Sequence, residues 1–391
     1  MPRQRPVTAV NRDLDIVRIR IYAVAPATTP PYRWTGQDGF VRVTDNILRL
    51  TARDGTEGWS SNTSNVPEGT PGEAPAAPDR WLADRLALIA PQVLAASALE
   101  REAVSGRLLR GCDDARRRAE SLIDIALWDM AARAADVPLW LYLGGARVSL
   151  PSYASTPVFD EVADYVAFVG ELADRGYGAV KLHTRCDPAW DLEMVTAVHG
   201  AHGGRMRFML DVEQRYDLAT AVRVGRRLAE LDFVWFEAPL PDPDLDGYAE
   251  LRRKVTVPIL PAGNTLVRPE DFVDGLARGA WSHLRTGPTH AGGIGAAGRA
   301  LALAAAHGTT VELQSYGFEG RKLASLHLAL GLGHCNWFEE PVHETDYEYE
   351  LDHPLRPGPD GLMRAPDGAG LGALPDWERI AGDAFLTFDL D

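Results

Sequence analysis

Lysine is almost absent from this sequence: of 40 basic residues only Lys181, Lys254 and Lys322 are lysines, leaving 37 arginines. A lysine in such a chain raises the question of why arginine would not serve, since only the ammonium can give up its proton in an accessible range. Cysteine is scarce too. Cys112, Cys186 and Cys335 are widely separated and follow no disulfide or metal-ligand spacing. No apolar run approaches membrane-spanning length, and Met1 to Asp13 has no apolar core of an export signal. The expectation is a reduced, cytoplasmic protein. Basic charge is in deficit, with a formal net charge of -15, which argues against nucleic acid or an anionic membrane surface as partner. An anionic small molecule stays compatible, since a bound metal ion reverses the local field.

What is present is a sizeable core. The 391 residues are 46% hydrophobic and 24% charged, too many for one ordinary compact domain and suited to two domains or a barrel with an extension. Asp15 to Tyr22 alternates with period two, as a half-buried strand does, and Ile47 to Thr51 reads as another strand. Asp54-Gly-Thr-Glu-Gly58 is a turn signal, Ser64 to Pro78 reads as a loop, and helical patterns cover Asp79 to Ala96 and Asp114 to Ala135. From Leu150 onward, short apolar strands alternate with amphipathic helices. Strands are expected near residues 150–156, 179–184, 207–213, 233–239, 258–264, 283–287, 310–315 and 335–340. Eight such strands with crossover helices predict a (β/α) barrel. The segment after Pro341, rich in Pro and Gly, is expected to return to the first domain.

Barrel active sites assemble at the carboxyl ends of the strands. There the sequence places Lys181 and His183, then Asp211 and Glu213, then Glu237, then Asn264. The steps from 211 to 237 and from 237 to 264 are 26 and 27 residues, one β/α unit each. Taken singly, each acid could merely cap the following helix. Together, two carboxylates and an amide carbonyl at consecutive strand ends form a hard oxygen donor set suited to Mg²⁺. Lys181 ends an apolar strand, where partial desolvation beside a metal is expected to lower its pKa and let it act as a base. His183, two residues on, points the same way.

The segment Glu120 to Gly145, opening Glu-Ser-Leu-Ile-Asp-Ile-Ala-Leu-Trp-Asp and closing Val-Pro-Leu-Trp-Leu-Tyr-Leu-Gly-Gly, resembles the start of the barrel in enolase-superfamily proteins. The likeness is greatest to the mandelate racemase and glucarate dehydratase branches and runs from the Asp15 strand to Gly372. It implies an α/β architecture, a modified (β/α)7β TIM-type barrel with an N-terminal α+β capping domain. On that pattern residues 1–117 form the cap with mobile substrate loops, 118–340 the barrel with its metal site, and 341–391 the segment returning to the cap. It further implies Mg²⁺, a small-molecule carboxylate substrate, a homo-oligomer, and removal of a proton α to a carboxylate.

Residue by residue, Asp211 and Glu237 match the family's first two metal ligands. Asn264 stands where a Glu is usual, as in glucarate-dehydratase-like members. Lys181 matches the first lysine of the Lys-x-Lys motif, and His183 replaces the second, commonly the base. Glu339 matches the strand-eight glutamate that contacts the substrate carboxylate or serves as an acid. The loops Thr28–Gly39 and Trp59–Val66 match the cap loops that set substrate choice, which makes Tyr32, Trp34 and Trp59 candidate substrate contacts. Glu213 stands where an amide is frequent, and it either joins the metal shell or binds Lys181. The family's His-Asp dyad is missing: its Asp is replaced by Gly287 and its His by Gln314.

A racemase needs proton-transfer groups on both faces of the enolate. Here Lys181 and His183 share one face and Gln314 stands on the other. That pattern favours dehydration of an acid sugar (aldonate or aldarate) to a 2-keto-3-deoxy acid, with His183 or Lys181 as the base, His183 being favoured. The alternatives are an epimerase or cycloisomerase of another carboxylate, and a catalytically idle sensor that binds a metal and an acid.

Overall fold

The structure, a computed structural model, describes residues 12–28, 32–33, 35, 40–67, 80–108, 114–266 and 268–391. Strands β1 (Ile16–Val24), β2 (Tyr32–Arg33), β3 (Phe40–Ala52) and β4 (Glu57–Pro67) come first, followed by helices α1 (Trp81–Ile89), α2 (Arg101–Leu108) and α3 (Asp114–Ala134). β1 and β3 pair antiparallel with a bulge near Ile16 and Arg18, and β3 pairs with β4 from Val41↔Pro67 to Thr51↔Glu57. The alternation in β1 puts Ile19, Ile21 and Ala23 into a core shared with α1 and α3, through Leu82, Leu86, Leu122 and Ile123.

After the short α4 (Leu139–Leu143) the barrel begins. It runs β5 (Leu150–Ser155), α5 (Val162–Asp174), β6 (Ala179–His183), α6 (Pro188–His202), β7 (Arg207–Asp211), α7 (Leu218–Glu230), β8 (Trp235–Glu237), α8 (Leu245–Lys254) and β9 (Ile259–Leu260). It continues with α9 (Pro269–Arg278), β10 (Leu284–Thr286), α10 (Pro288–Ala291), α11 (Ile294–Ala306), β11 (Val311–Leu313), α12 (Glu319–Leu332) and β12 (Phe338–Pro341). Parallel ladders join β12-β5-β6-β7-β8-β9, and β10 pairs with β11. All eight barrel strands fall on the segments expected from the sequence. The helices follow their local chemistry: the Asp217 carboxylate caps α7 by accepting from the Thr220 amide at 2.8 Å, and Ala221, Val224 and Leu228 form its buried stripe.

The chain ends with β13 (Leu362–Met363), α13 (Trp377–Asp383) and β14 (Leu386–Leu390). β13 pairs with β5, while β14 pairs antiparallel with β1, Ile19 opposite Leu390. This last segment thus closes an edge of the first sheet.

One core feature runs against composition. The run from Ser60 to Ser64 reads as a loop, yet it is a buried strand, and β3 opposite it buries Thr44, Asp45 and Asn46 completely. Asp45, Glu319 and Glu350 share this interior, and burial, partly offset by polar contact with Glu350, pushes the Asp45 carboxyl up to about 7. A folded-state pKa raised above the unfolded value means stability that is complete below about 4 and declines as pH rises to about 7. Asp45→Asn is therefore expected to match the parent near pH 4 and to exceed it at pH 8 by up to about 4 kcal/mol. Urea titrations at the two pH values check this; a difference that does not change with pH contradicts it.

Candidate active site

Period two also builds the barrel interior. Tyr153, Ala179, Met209, Trp235 and Leu260 form an apolar layer inside the strands, with Tyr153 and Trp235 edge to face at 5.4 Å. Two residues further along, the inward positions turn polar. The ladder aligns His183 with Asp211 and Asp211 with Glu237, so register alone sets these three side by side. They line a cavity of about 300 Å³ together with Lys181, Glu213, Asn264, Gln314 and Glu339.

Lys181 is 1% exposed, and its Nζ lies 2.7 Å from Glu339 Oε1, 3.1 Å from Glu237 Oε1 and 3.6 Å from Asp211 Oδ2. Burial and Arg285 lower its pKa, but the carboxylates of Glu237 and Glu339 outweigh them, so the net direction is upward. This reverses the expected lowering. Three carboxylates hold Lys181 as an ammonium, which suits it to donating hydrogen bonds to developing negative charge.

His183 is 2% exposed, and its Nδ1 sits 2.6 Å from the Thr156 carbonyl oxygen. A carbonyl only accepts, so this contact places a proton on Nδ1 and fixes the ring with Nε2 turned to the cavity. Nε2 faces Asp211 Oδ2 at 3.4 Å. Burial raises the Asp211 carboxyl, but His183 and Lys181 pull it below its ordinary value.

Glu237 accepts from Lys181 and from the Trp235 indole at 3.1 Å and lies 2.6 Å from Arg285 Nε. Burial, opposed by Arg285 and Lys181, still pushes its carboxyl up to about 7. Glu213 leaves the strand with φ +45° and accepts from Asn264 Nδ2 at 3.0 Å. Burial, then the charges of Asp211 and Glu237, push it up to about 8. Gln314 Nε2 donates to Asn264 Oδ1 at 3.1 Å and to the Ala262 carbonyl at 2.9 Å. Gly263, at φ +73°, must be glycine here: a Cβ would meet the Arg285 carbonyl oxygen at 2.2 Å.

Glu339 accepts from Ser155 Oγ at 3.1 Å, from Arg285 Nη2 at 2.9 Å and from the Ser315 amide at 3.2 Å. Burial raises it, but Arg285 and Lys181 drive it well below the carboxylate range. It is an ionised anchor, poorly placed to give up a proton.

The donor set can be tested against a divalent cation. Among the described residues no three His, Cys, Asp or Glu side chains form a ready-made metal cluster. The carboxylates are instead in excess: Asp211 raises Glu213 and Glu237, and the Lys181 ammonium reaches towards both Asp211 and Glu237. Two crowded carboxylates with the Asn264 amide carbonyl are hard donors that a small dication would relieve of their repulsion. The residues fit Mg²⁺.

Not every expected contact lies here. Trp34 is outside the described residues. Trp59 is not in a loop, because β4 runs in unbroken register against β3 across 57–67. Its indole is wholly buried and donates to the Ala373 carbonyl at 3.0 Å, so it packs the core and is no substrate contact. Tyr32 does line the cavity. Sequence reasoning missed Arg285, although a charge at the middle of the apolar strand Leu284-Arg-Thr286 was a legible signal. It also missed Arg118, His290 and Arg321, which lie on helices and carry no strand-end signature.

Family models match both parts of the chain: "Mandelate racemase / muconate lactonizing enzyme, N-terminal domain" over residues 20–144, and "Enolase C-terminal domain-like" over residues 164–379. Among curated relatives, the L-talarate/galactarate dehydratase of Salmonella typhimurium is 33% identical over 65% of this chain and 62% of its own length, just under two thirds of that protein. The D-galactarolactone cycloisomerase of Agrobacterium fabrum is 29% identical over 69% of this chain and 73% of its own. The N-succinylamino acid racemase of Thermus thermophilus is 29% identical over 67% and 71%. Among solved structures, a mandelate racemase/muconate lactonizing-type protein from Pseudovibrio sp. superposes with TM-score 0.91 at 32% identity, covering 97% of this chain and 99% of that one. The Salmonella dehydratase, solved with Mg and L-lyxarohydroxamate, gives 0.82 at 25% identity over 96% and 94%.

Proposed function

Because the chain belongs to the enolase superfamily, with the N-terminal domain of the mandelate racemase/muconate lactonizing group, we propose that it removes the proton α to a carboxylate and expels a β-hydroxyl. The substrate class is an acid sugar and the product a 2-keto-3-deoxy acid. The carrying observation is the pairing of His183 and Lys181 on one strand face, with Gly287 and Gln314 at the positions of the missing dyad. His290 also lines the cavity, but burial and the charges of Arg321, Arg118 and Arg285 hold it far below its usual pKa, a poor base.

Asp211, Glu237 and Asn264 would hold Mg²⁺, which supplies Lewis-acid polarisation of the substrate carboxylate when bound. His183 Nε2 takes the Cα proton, its ring fixed by the Thr156 carbonyl. Lys181 donates to the carboxylate oxygen on which charge develops. The imidazolium of His183 then returns its proton to the β-hydroxyl as the C–O bond breaks, and water leaves from the face of attack. The enol tautomerises to the 2-keto acid. Glu339, ionised between Lys181 and Arg285, keeps the ammonium in place. Cycloisomerisation would use the same first step, and the 29% identity to a galactarolactone cycloisomerase favours it as the second reading.

Mg²⁺ is expected to raise the thermal midpoint of the parent by several degrees, and Asp211→Ala or Glu237→Ala to remove that increment. Asn264→Ala should weaken it less, since both carboxylates survive. An unchanged increment in both acid variants, read by differential scanning fluorimetry, rejects the site.

A further inference from the structure

The cavity has a second charged region that the proposed chemistry does not use. Arg118, from the first turns of α3, and Arg321, from the first turn of α12, both line it, as does His290 from α10. Lys181 and Arg285 spend their charge on Glu237 and Glu339. Arg118 and Arg321, by contrast, form no ion pair with a carboxylate among the described residues. Arg321 Nε is buried without a hydrogen-bond partner, and so is the Thr63 hydroxyl beside it on the same wall. Gly317, at φ +154°, leaves the space this needs: a Cβ there would meet Thr63 Oγ1 at 2.8 Å and Arg321 Cδ at 3.1 Å.

Two half-buried guanidinium groups that no ion pair neutralises among the described residues destabilise each other. Burial, then the like charge of Arg118, depress Arg321 to about 10, and burial lowers Arg118. In a chain carrying 55 acidic residues, nearby carboxylates would have been an easy remedy. An unneutralised pair facing a cavity is the arrangement that an incoming anion completes, with planar forks matched to carboxylate or phosphate oxygens.

We propose that Arg118 and Arg321 form a distal anion subsite, so that the substrate is a dianion whose second charged group, a carboxylate or a phosphate, lies at the far end of its carbon chain. This rests on the acid-sugar reading and narrows it from monoacids to sugar diacids or phosphorylated sugar acids. The volume of about 300 Å³ accommodates a chain of five or six carbons.

The test is binding to the Mg²⁺-loaded His183→Asn protein by calorimetry, with the arginine variants made in that background, so that turnover does not mask affinity. Probes are gluconate, glucarate and 6-phosphogluconate, which share one configuration, with galactonate and galactarate as a second series. At least one dianion should bind tenfold or more tightly than its monoacid; which of glucarate and 6-phosphogluconate does so distinguishes carboxylate from phosphate. Arg118→Met and Arg321→Met should each remove most of that factor while monoacid affinity stays within twofold, and Arg321→Lys should keep part of it. Monoacids that bind as well as dianions, a preference that survives both Met variants, or no binding of any probe overturns the proposal. Dehydration of a monoacid with no gain from the second charge would overturn the subsite and leave the chemistry standing. Tight dianion binding without dehydration would do the reverse.

Discussion

With Mg²⁺ and an acid sugar, His183→Asn is expected to lower kcat by about 100-fold or more, the usual scale for loss of a positioned general base. KM should change little, because the imidazole acts on the proton in flight and contributes little to ground-state binding. Asparagine is close to the imidazole in size and can still donate to the Thr156 carbonyl, so the fold around β6 should persist. The geometry behind the expectation is specific: the Thr156 carbonyl accepts from Nδ1 at 2.6 Å and so fixes the ring with Nε2 towards the cavity. Parent-like turnover in this variant, measured in steady state, moves the base elsewhere.

Lys181→Met should act on two quantities at once. Turnover should fall by about 100-fold or more, since a developing oxyanion loses its donor. Stability without Mg²⁺ should fall by roughly 3–5 kcal/mol, because removing one member of a buried ion network strands its partners. Those partners are Glu339 at 2.7 Å, Glu237 at 3.1 Å and Asp211 at 3.6 Å, all 3% exposed or less. Saturating Mg²⁺ should restore part of the stability and none of the turnover, a split that urea titration with and without the ion reveals. Undiminished stability in the metal-free variant would mean that the ammonium does not neutralise these acids.

The barrel was legible because its strands and helices are local and periodic, and because polar residues recur at one β/α spacing. His183, Asp211 and Glu237 could be placed in one row before any register was known, since each ends its own strand. The cap resisted the same reasoning. Trp59 and the Ser60–Ser64 run look like a loop by composition, and only pairing along the whole of β3 and packing on α3, where Ser60 Oγ donates to the Leu122 carbonyl at 2.7 Å, make them interior. Arg118 and Arg321 lie some 200 positions apart on helices of ordinary pattern. Nothing local marks them as neighbours of one cavity. Lys181 shows a different limit: its depressed pKa was argued from desolvation beside a metal, and the carboxylates of Glu237 and Glu339, contributed by distant strands, reverse the sign.

One-face proton transfer is tested most directly in D₂O, by proton NMR of the Cα position during partial turnover of an acid sugar by the Mg²⁺-loaded parent. Unreacted substrate should stay unlabelled, or carry deuterium with its configuration retained, and the labelling should vanish in His183→Asn. Product gains deuterium only where the enol tautomerises. Accumulation of the opposite Cα epimer would contradict this, by requiring a second base across the enolate plane. If that epimer also disappeared in His290→Asn, the second base would be His290.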